Sequence, residues 1–445
     1  MGYLPSTAPE RGRMLRALGL DDPEALFREI PAALRLGRPL ALEPALSELE
    51  LERELTDLAR RNLSLDEVVS FLGAGAYDRF VPAIVDEVVR RSEFYTAYTP
   101  YQPEVSQGTL TAIYEFQSYV CALTGLDVAN ASMYDGASAL AEAGVLACHA
   151  TGRDRLVVSR AVDPVFRQVL GTYARGQGIR VSEAPLSGYR TDADATAQLT
   201  AGDVAGVIVA QPNFFGAIED PEPFARRAHE VGALLIAVAD PVGLAVLKPP
   251  GRFGADVAVG EAQSWGLPPS FGGPFLGYFA ARRDLLRRLP GRIAGGTVDR
   301  EGRVGYVLTF QTREQHIRRE RATSNVCTNQ ALCALAATVY LAALGPGGLR
   351  DVAALSAAGA RRARSRLAAV RGYEPMTEPF FQEFVTRSPV DPEELGPKLL
   401  ERGILMGLPL AVHYPEFADR ILWAVTERRT ERDIDALGRA LEEIA

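Results

Sequence analysis

The stretch ADVAVGEAQSWGLPPSFGGPFLGYFA, residues Ala255 to Ala280, decides the reading of the chain. An apolar run leads into a polar break, a Gly/Pro-rich turn and a second apolar run, a pattern that places a loop directly after a buried strand. Covalent amine chemistry at such a loop would need a lysine there. No lysine occurs in this one. Of the 48 basic residues in the chain only Lys248 and Lys398 are lysine. Lys248 precedes two prolines in what reads as a surface turn, and Lys398 falls on an expected C-terminal helix, so neither follows a buried strand. The loop has the form of a cofactor loop without its nucleophile.

Upstream of the loop, strand-like runs occur at Arg155 to Ser159, Gly206 to Gln211 and Ala233 to Ala239, separated by helical segments. This alternation predicts an α/β domain with a mainly parallel sheet covered by helices. Asp240 stands directly after the third run. The segment YDGASALAEAGVLACHATG reads as a turn entering a helix with Gly136 and Ser138 at its start, a place where backbone N–H groups and the helix dipole suit an anion. No GxGxxG opens a helix after the first strand, which argues against a dinucleotide-binding fold. From about Pro346 the pattern becomes helix, short strands and helix, a small C-terminal α+β domain. Its last helix is capped by Thr430 with Asp433 and carries the stripe Ile434, Leu437, Leu441 and Ile444.

The N-terminal residues read as a helical arm, with Asp22-Pro23 as a helix start and Ser64 with Glu67 as a capping box for a further helix. Between Tyr95 and Pro103 three tyrosines and two prolines enforce an extended or turned path. Helical periodicity follows, with Leu110, Ile113, Phe116 and Val120 on one side. This aromatic segment suits either a subunit interface or the wall of a substrate site. Farther on, the charged run around His316 leads into a polar turn, Thr323 to Asn325, and then into an Ala-rich helix. Three domains are expected: 1–94, a helical arm; 95–340, the large α/β domain; and 341–445, the small C-terminal domain.

With 47% hydrophobic and 23% charged residues the composition is that of an ordinary globular protein, and a net charge of −8 argues against nucleic acid as a partner. The four cysteines have no zinc-ligand spacing and are expected to be reduced thiols. No leader-like run follows Met1 and no stretch approaches the length of an apolar membrane span, so a cytoplasmic location with no membrane association is expected.

The Lys-less loop, the segment TPYQPEVSQG (Thr99 to Gly108) and the run QTREQHIRRERATSNVCTNQ (Gln311 to Gln330) together resemble the P-protein, or glycine decarboxylase, family of the glycine cleavage system. The arm adds Pro5-Ser6-Thr7 and Ile30-Pro31. The family's catalytic copy has His-Lys, a few residues, then Pro-His and a run of glycines. Counted back from Gly272, Gly273 and Pro274, the lysine position falls on Gln263 and the histidine on Ala262.

The resemblance implies an aminotransferase-like fold of the pyridoxal-phosphate (PLP) dependent transferases, fold type I, and specifically the half that lacks the PLP lysine. It makes Gly136, Ser138 and Asp240 vestigial PLP-site positions, with no cofactor bound covalently by this chain and PLP on a homologous partner subunit. Glycine is then the substrate and the lipoyl arm of H-protein the aminomethyl acceptor, in a heterotetramer whose isolated first subunit is inactive. The residues expected to line the shared cleft are Tyr95, Tyr98, Thr99, Tyr101, Gln102, Glu104, Ser106, Gln107, His316, Thr323, Ser324 and Asn325. No metal is expected. Two other readings are a purely structural partner that contributes no active-site residue, and a stand-alone PLP enzyme anchored on Lys248.

Overall fold

A computed structural model describes residues 6–445; Pro5, part of the matched N-terminal stretch, lies outside the described residues. The chain divides into two compact units, Met1–Leu63 and Ser64–Ala445. In the first, Thr7 with Glu10 and Ser47 with Glu50 form capping boxes that start the helices Ala8–Ala17 and Glu48–Ala59, and Asp22 caps the short 3-10 turn Pro23–Phe27. None of these elements has a buried residue.

The division falls at Leu63 and not at residue 94, because the following segment is built into the larger unit. Val69–Ser70 pairs in parallel with Ile404–Leu405, and Phe71 is buried in the C-terminal core beside Trp423. The helix expected after Ser64 is absent. Glu67 accepts from Ser64 N, and Ser64 Oγ accepts from Asp66 N, but these bonds close only a turn because strand pairing begins at Val69.

In the larger unit a seven-stranded sheet runs in the order Val128–Ala129, Gly277–Ala281, Val257–Glu261, Leu234–Ala239, Val204–Gln211, Arg155–Ser159, Arg180–Ala184. Only Gly277–Ala281 runs against the others. The three apolar runs read from sequence are its central strands, and Val204–Gln211 is buried along its whole length, as a strand covered on both faces must be. The helix Gly136–Thr151 is buried from Gly136 to Cys148, which its run of Ala and Gly side chains permits.

A second sheet of four short antiparallel strands, Glu374–Pro375, Glu383–Arg387, Arg420–Ala424 and Leu408–Pro409, forms the C-terminal body with the helices Pro392–Leu400 and Glu431–Ile444. The Thr430–Asp433 cap is present as read, and Ile434, Leu437 and Leu441 are buried. The helix Ala331–Ala368 runs from the large sheet's core to this body and is broken at Gly345, where φ is 62°, just before Pro346. A boundary at 340/341 therefore lies inside a helix. Its length and apolarity are those of a membrane-crossing segment, contrary to the expectation from sequence. Half of its most apolar window is buried inside the protein, however, as befits a core helix.

Candidate functional site

The strands Val204–Gln211, Leu234–Ala239 and Val257–Glu261 end beside one cavity, the crevice that a parallel sheet opens at its carboxyl edge. Its walls carry Asp163, Asp240, Glu261 and Glu383, with the rings of Phe166 and Phe381 between them. Residues 73–80 cross it as a strap. Ala74 N and Tyr77 Oη donate to the two oxygens of Glu383, at 2.7 and 2.9 Å. Asp78 is ion-paired with Arg428 and Arg429 at 2.9 and 2.7 Å. Arg79 is buried and binds Glu427 at 2.6 Å, donates to Ser264 Oγ and Ser356 Oγ at 3.1 and 3.2 Å, and also donates to Gln382 Oε1.

Gln263 fastens the strap to the large sheet. Its Oε1 accepts Tyr77 N at 2.9 Å and its Nε2 donates to Tyr77 O at 3.1 Å and to Leu267 O, so the amide satisfies both polar groups of one strap residue. An ammonium can donate to a carbonyl but cannot accept an N–H. The side chain at the lysine position is thus used for packing, at 1% exposure. Two residues earlier, Glu261 accepts Gln263 N (3.0 Å) and Leu276 N (2.8 Å) on Oε1 and Gly136 N (2.9 Å) on Oε2. Asp240 accepts from Gly243 N and, at 2.9 Å, from Gln382 Nε2.

Burial raises the proton affinity of these carboxyls. Glu261 and Glu383 are pushed up to about 7 and Asp163 to about 6; Asp240 is also raised, against the opposing charge of Arg79. A carboxyl that titrates at 4.5 when unfolded and near 7 when folded binds more protons in the folded chain between those values. Its stabilising effect is complete below 4.5 and is lost as pH rises through 7. Glu383→Gln removes one such group. In urea titrations at successive pH values, the variant's stability relative to the parent should rise by up to about 3 kcal/mol between pH 4.5 and 7.5; a pH-independent difference would refute it.

None of the twelve residues expected to line a cleft borders this cavity. Tyr95 and Tyr98 are 69% and 81% exposed and edge a small groove against the start of the helix Ala331–Ala368. Thr99 Oγ1 is buried without a partner, and Tyr101 lies over the Arg292 guanidinium at 5.7 Å. Gln102, Glu104 and His316 are exposed, with His316 Nδ1 3.8 Å from Glu314. Ser106 precedes the helix Gln107–Thr124 and makes no side-chain cap. Gln107 has a structural role: it bonds both backbone groups of Tyr306 at 2.9 Å and pins the hairpin Ile293–Val298 with Val304–Thr309. Thr323, Ser324 and Asn325 border a polar pocket that also contains the buried Glu142. Of the three vestigial positions, only Asp240 borders the strand-end cavity. Gly136 and Ser138 begin the helix bound by Glu261.

A model of the glycine cleavage system P-protein family matches residues 1–441. A crystal structure of glycine decarboxylase (P-protein) of the glycine cleavage system, in inhibitor-bound form, superposes with a TM-score of 0.92 at 46% identity over the whole of both chains. The chain belongs to the glycine cleavage system P-protein family. A P-protein relative from Moorella thermoacetica, named probable glycine dehydrogenase (decarboxylating) subunit 1, is 54% identical over 445 residues and all of both chains. One of the same name from Geobacillus kaustophilus is 50% identical over 433 residues, 97% of each chain. Sphingosine-1-phosphate lyase of Burkholderia pseudomallei shares the fold alone, with a TM-score of 0.66 at 15% identity over 93% of this chain and 94% of that one. The P-protein chain thus has the fold of type I PLP-dependent enzymes, as its sequence predicted.

The cavity does not fit that cofactor. Its lysine position carries an amide bonded to backbone, its helix N-terminus is bound by a carboxylate of the same chain, and Asp240 is engaged by Gln382 and Gly243. A Cβ at Gly136 would lie 2.5 Å from Phe166 Cζ, so the ring presses on the first residue of the helix.

Proposed function

We propose that this chain is the cofactor-free first subunit of a two-subunit glycine decarboxylase, cytoplasmic, and inactive when isolated. The observation that carries the reading is the full-length match to proteins named subunit 1, at 54% identity; the amide of Gln263, held by Tyr77 at the lysine position, supports it. PLP belongs to a homologous second subunit, glycine is the substrate, and the lipoyl arm of H-protein accepts the aminomethyl group in a heterotetramer. In that assembly the exposed Tyr95 and Tyr98, with Glu104, His316 and the turn Thr323 to Asn325, complete the partner's cleft. The first unit, whose helices bury no leucine of their own, provides apolar surface for the assembly.

The test is turnover by the co-expressed pair with glycine and H-protein saturating. Tyr98→Phe and His316→Asn should each lower glycine decarboxylation at least tenfold. A hydrogen bond made in the transition state is worth about 2.7–4 kcal/mol, which leaves room for a partial loss. Assembly, followed by sedimentation, and the partner's PLP absorbance should be unchanged. Full turnover in both variants would favour the purely structural partner.

A further inference from the structure

We propose that the anion cup at the N-terminus of the helix Gly136–Thr151 is filled permanently by the chain's own Glu261 carboxylate, with the Phe166 ring over it. The subunit then excludes phosphate-bearing molecules by a built-in occupant, in addition to lacking a lysine. The inference deepens the cofactor-free reading but is carried by geometry within one chain.

A helix N-terminus of this length presents unpaired N–H groups and a partial positive charge that bind anions. Here two of those donors, Gly136 N and Ser138 N, are taken by carboxylates. Ser138 N donates to Asp135 Oδ1 at 2.6 Å, Ala139 N to Asp135 O at 3.0 Å, and Gly136 N to Glu261 Oε2 at 2.9 Å. The other Glu261 oxygen takes Gln263 N and Leu276 N. One carboxylate therefore gathers N–H groups from three separate segments, as a bound oxyanion would. The space above Gly136 is also closed, since Phe166 Cζ and Glu261 N stand 2.5 and 2.7 Å from where a Cβ would be. Above about pH 7, where Glu261 is ionised, an entering phosphate would meet Glu261, Asp135 and Asp163 as like charges, while Arg79 is engaged by Glu427.

The experiment is anion rescue in the full-length chain. Glu261→Ala leaves three donors without an acceptor and should melt several degrees below the parent in chloride. Inorganic phosphate or sulfate should restore most of that loss with a saturable dose response. At matched ionic strength the parent should show only the non-saturating salt effect, and adding Phe166→Ala should tighten phosphate binding at least tenfold. An unchanged melting temperature in Glu261→Ala, a loss that neither anion repairs, or saturable phosphate binding by the parent would overturn the proposal. Should Glu261→Ala prove insoluble, Phe166→Ala alone decides: it keeps the carboxylate and must still bind no phosphate, and saturable binding refutes the cup's occupancy. Phosphate and sulfate carry no aldehyde, so failure here bears on the cup, whereas borohydride trapping of a pyridoxyl-lysine bears on the cofactor-free reading.

Discussion

Gln263→Lys lowers the stability of the chain by about 3–5 kcal/mol and yields no imine with pyridoxal phosphate. The substitution supplies the missing amine, yet the position is 1% exposed and its oxygen is the acceptor for Tyr77 N. A lysine leaves that N–H unpaired, a loss of about 1–3 kcal/mol, and brings an ammonium into a buried site, which adds several kcal/mol more unless the group deprotonates or the strap opens. Residue 262 remains alanine, with no polar group to hold a cofactor. Urea titration measures the loss, and borohydride reduction with mass spectrometry looks for a pyridoxyl group at 263, 248 or 398. A stable variant with a reducible adduct at 263 would mean that the cavity is a working cofactor site.

Arg79→Ala has an effect of similar size, about 3–5 kcal/mol, because it strands the buried Glu427 carboxylate. It also removes donors from Ser264, Ser356 and Gln382, and through Gln382 it loosens Asp240. Much of this loss comes from leaving one charge behind. The double variant Arg79→Met with Glu427→Gln should therefore be clearly more stable than Arg79→Ala alone. Equal stability of the two would show that packing of the arginine stem, and not the charge pair, holds the strap.

Much of the fold could be read in the sequence where pattern and burial coincide. Leu156 to Val158, Ile208 and Leu235 to Ala237 lie in central strands because a strand covered on both faces leaves an unbroken apolar run. The hairpin Ile293–Val298 with Val304–Thr309 was not legible: its glycines interrupt the alternation, and its inner face is only partly buried. The capping pattern at Ser64 was misleading, since the same side-chain bonds close a turn when the next residues are taken by a strand. At the site, the absence of lysine was plain, but the use made of Gln263 was not. Its partner Tyr77 lies 186 residues away. Glu261, Glu383 and the pair Asp78-Arg79 escaped notice for the same reason: the meaning of each depends on partners contributed by remote segments.

That remoteness sets an order on the birth of the molecule. The strap's bonds join Ala74 to Glu383 across 309 positions, Arg79 to Glu427 across 348 and Asp78 to Arg429 across 351. A chain emerging from the ribosome offers residues 73–80 early, their partners Gln263 and Ser264 midway, and their C-terminal anchors only near the end of translation. The central sheet, whose strands all precede residue 282, can therefore assemble first with its carboxyl edge uncovered. Closing a loop of more than 300 residues is then the last act of synthesis. A nascent chain halted before residue 427 has its Arg79 guanidinium without the carboxylate made to receive it.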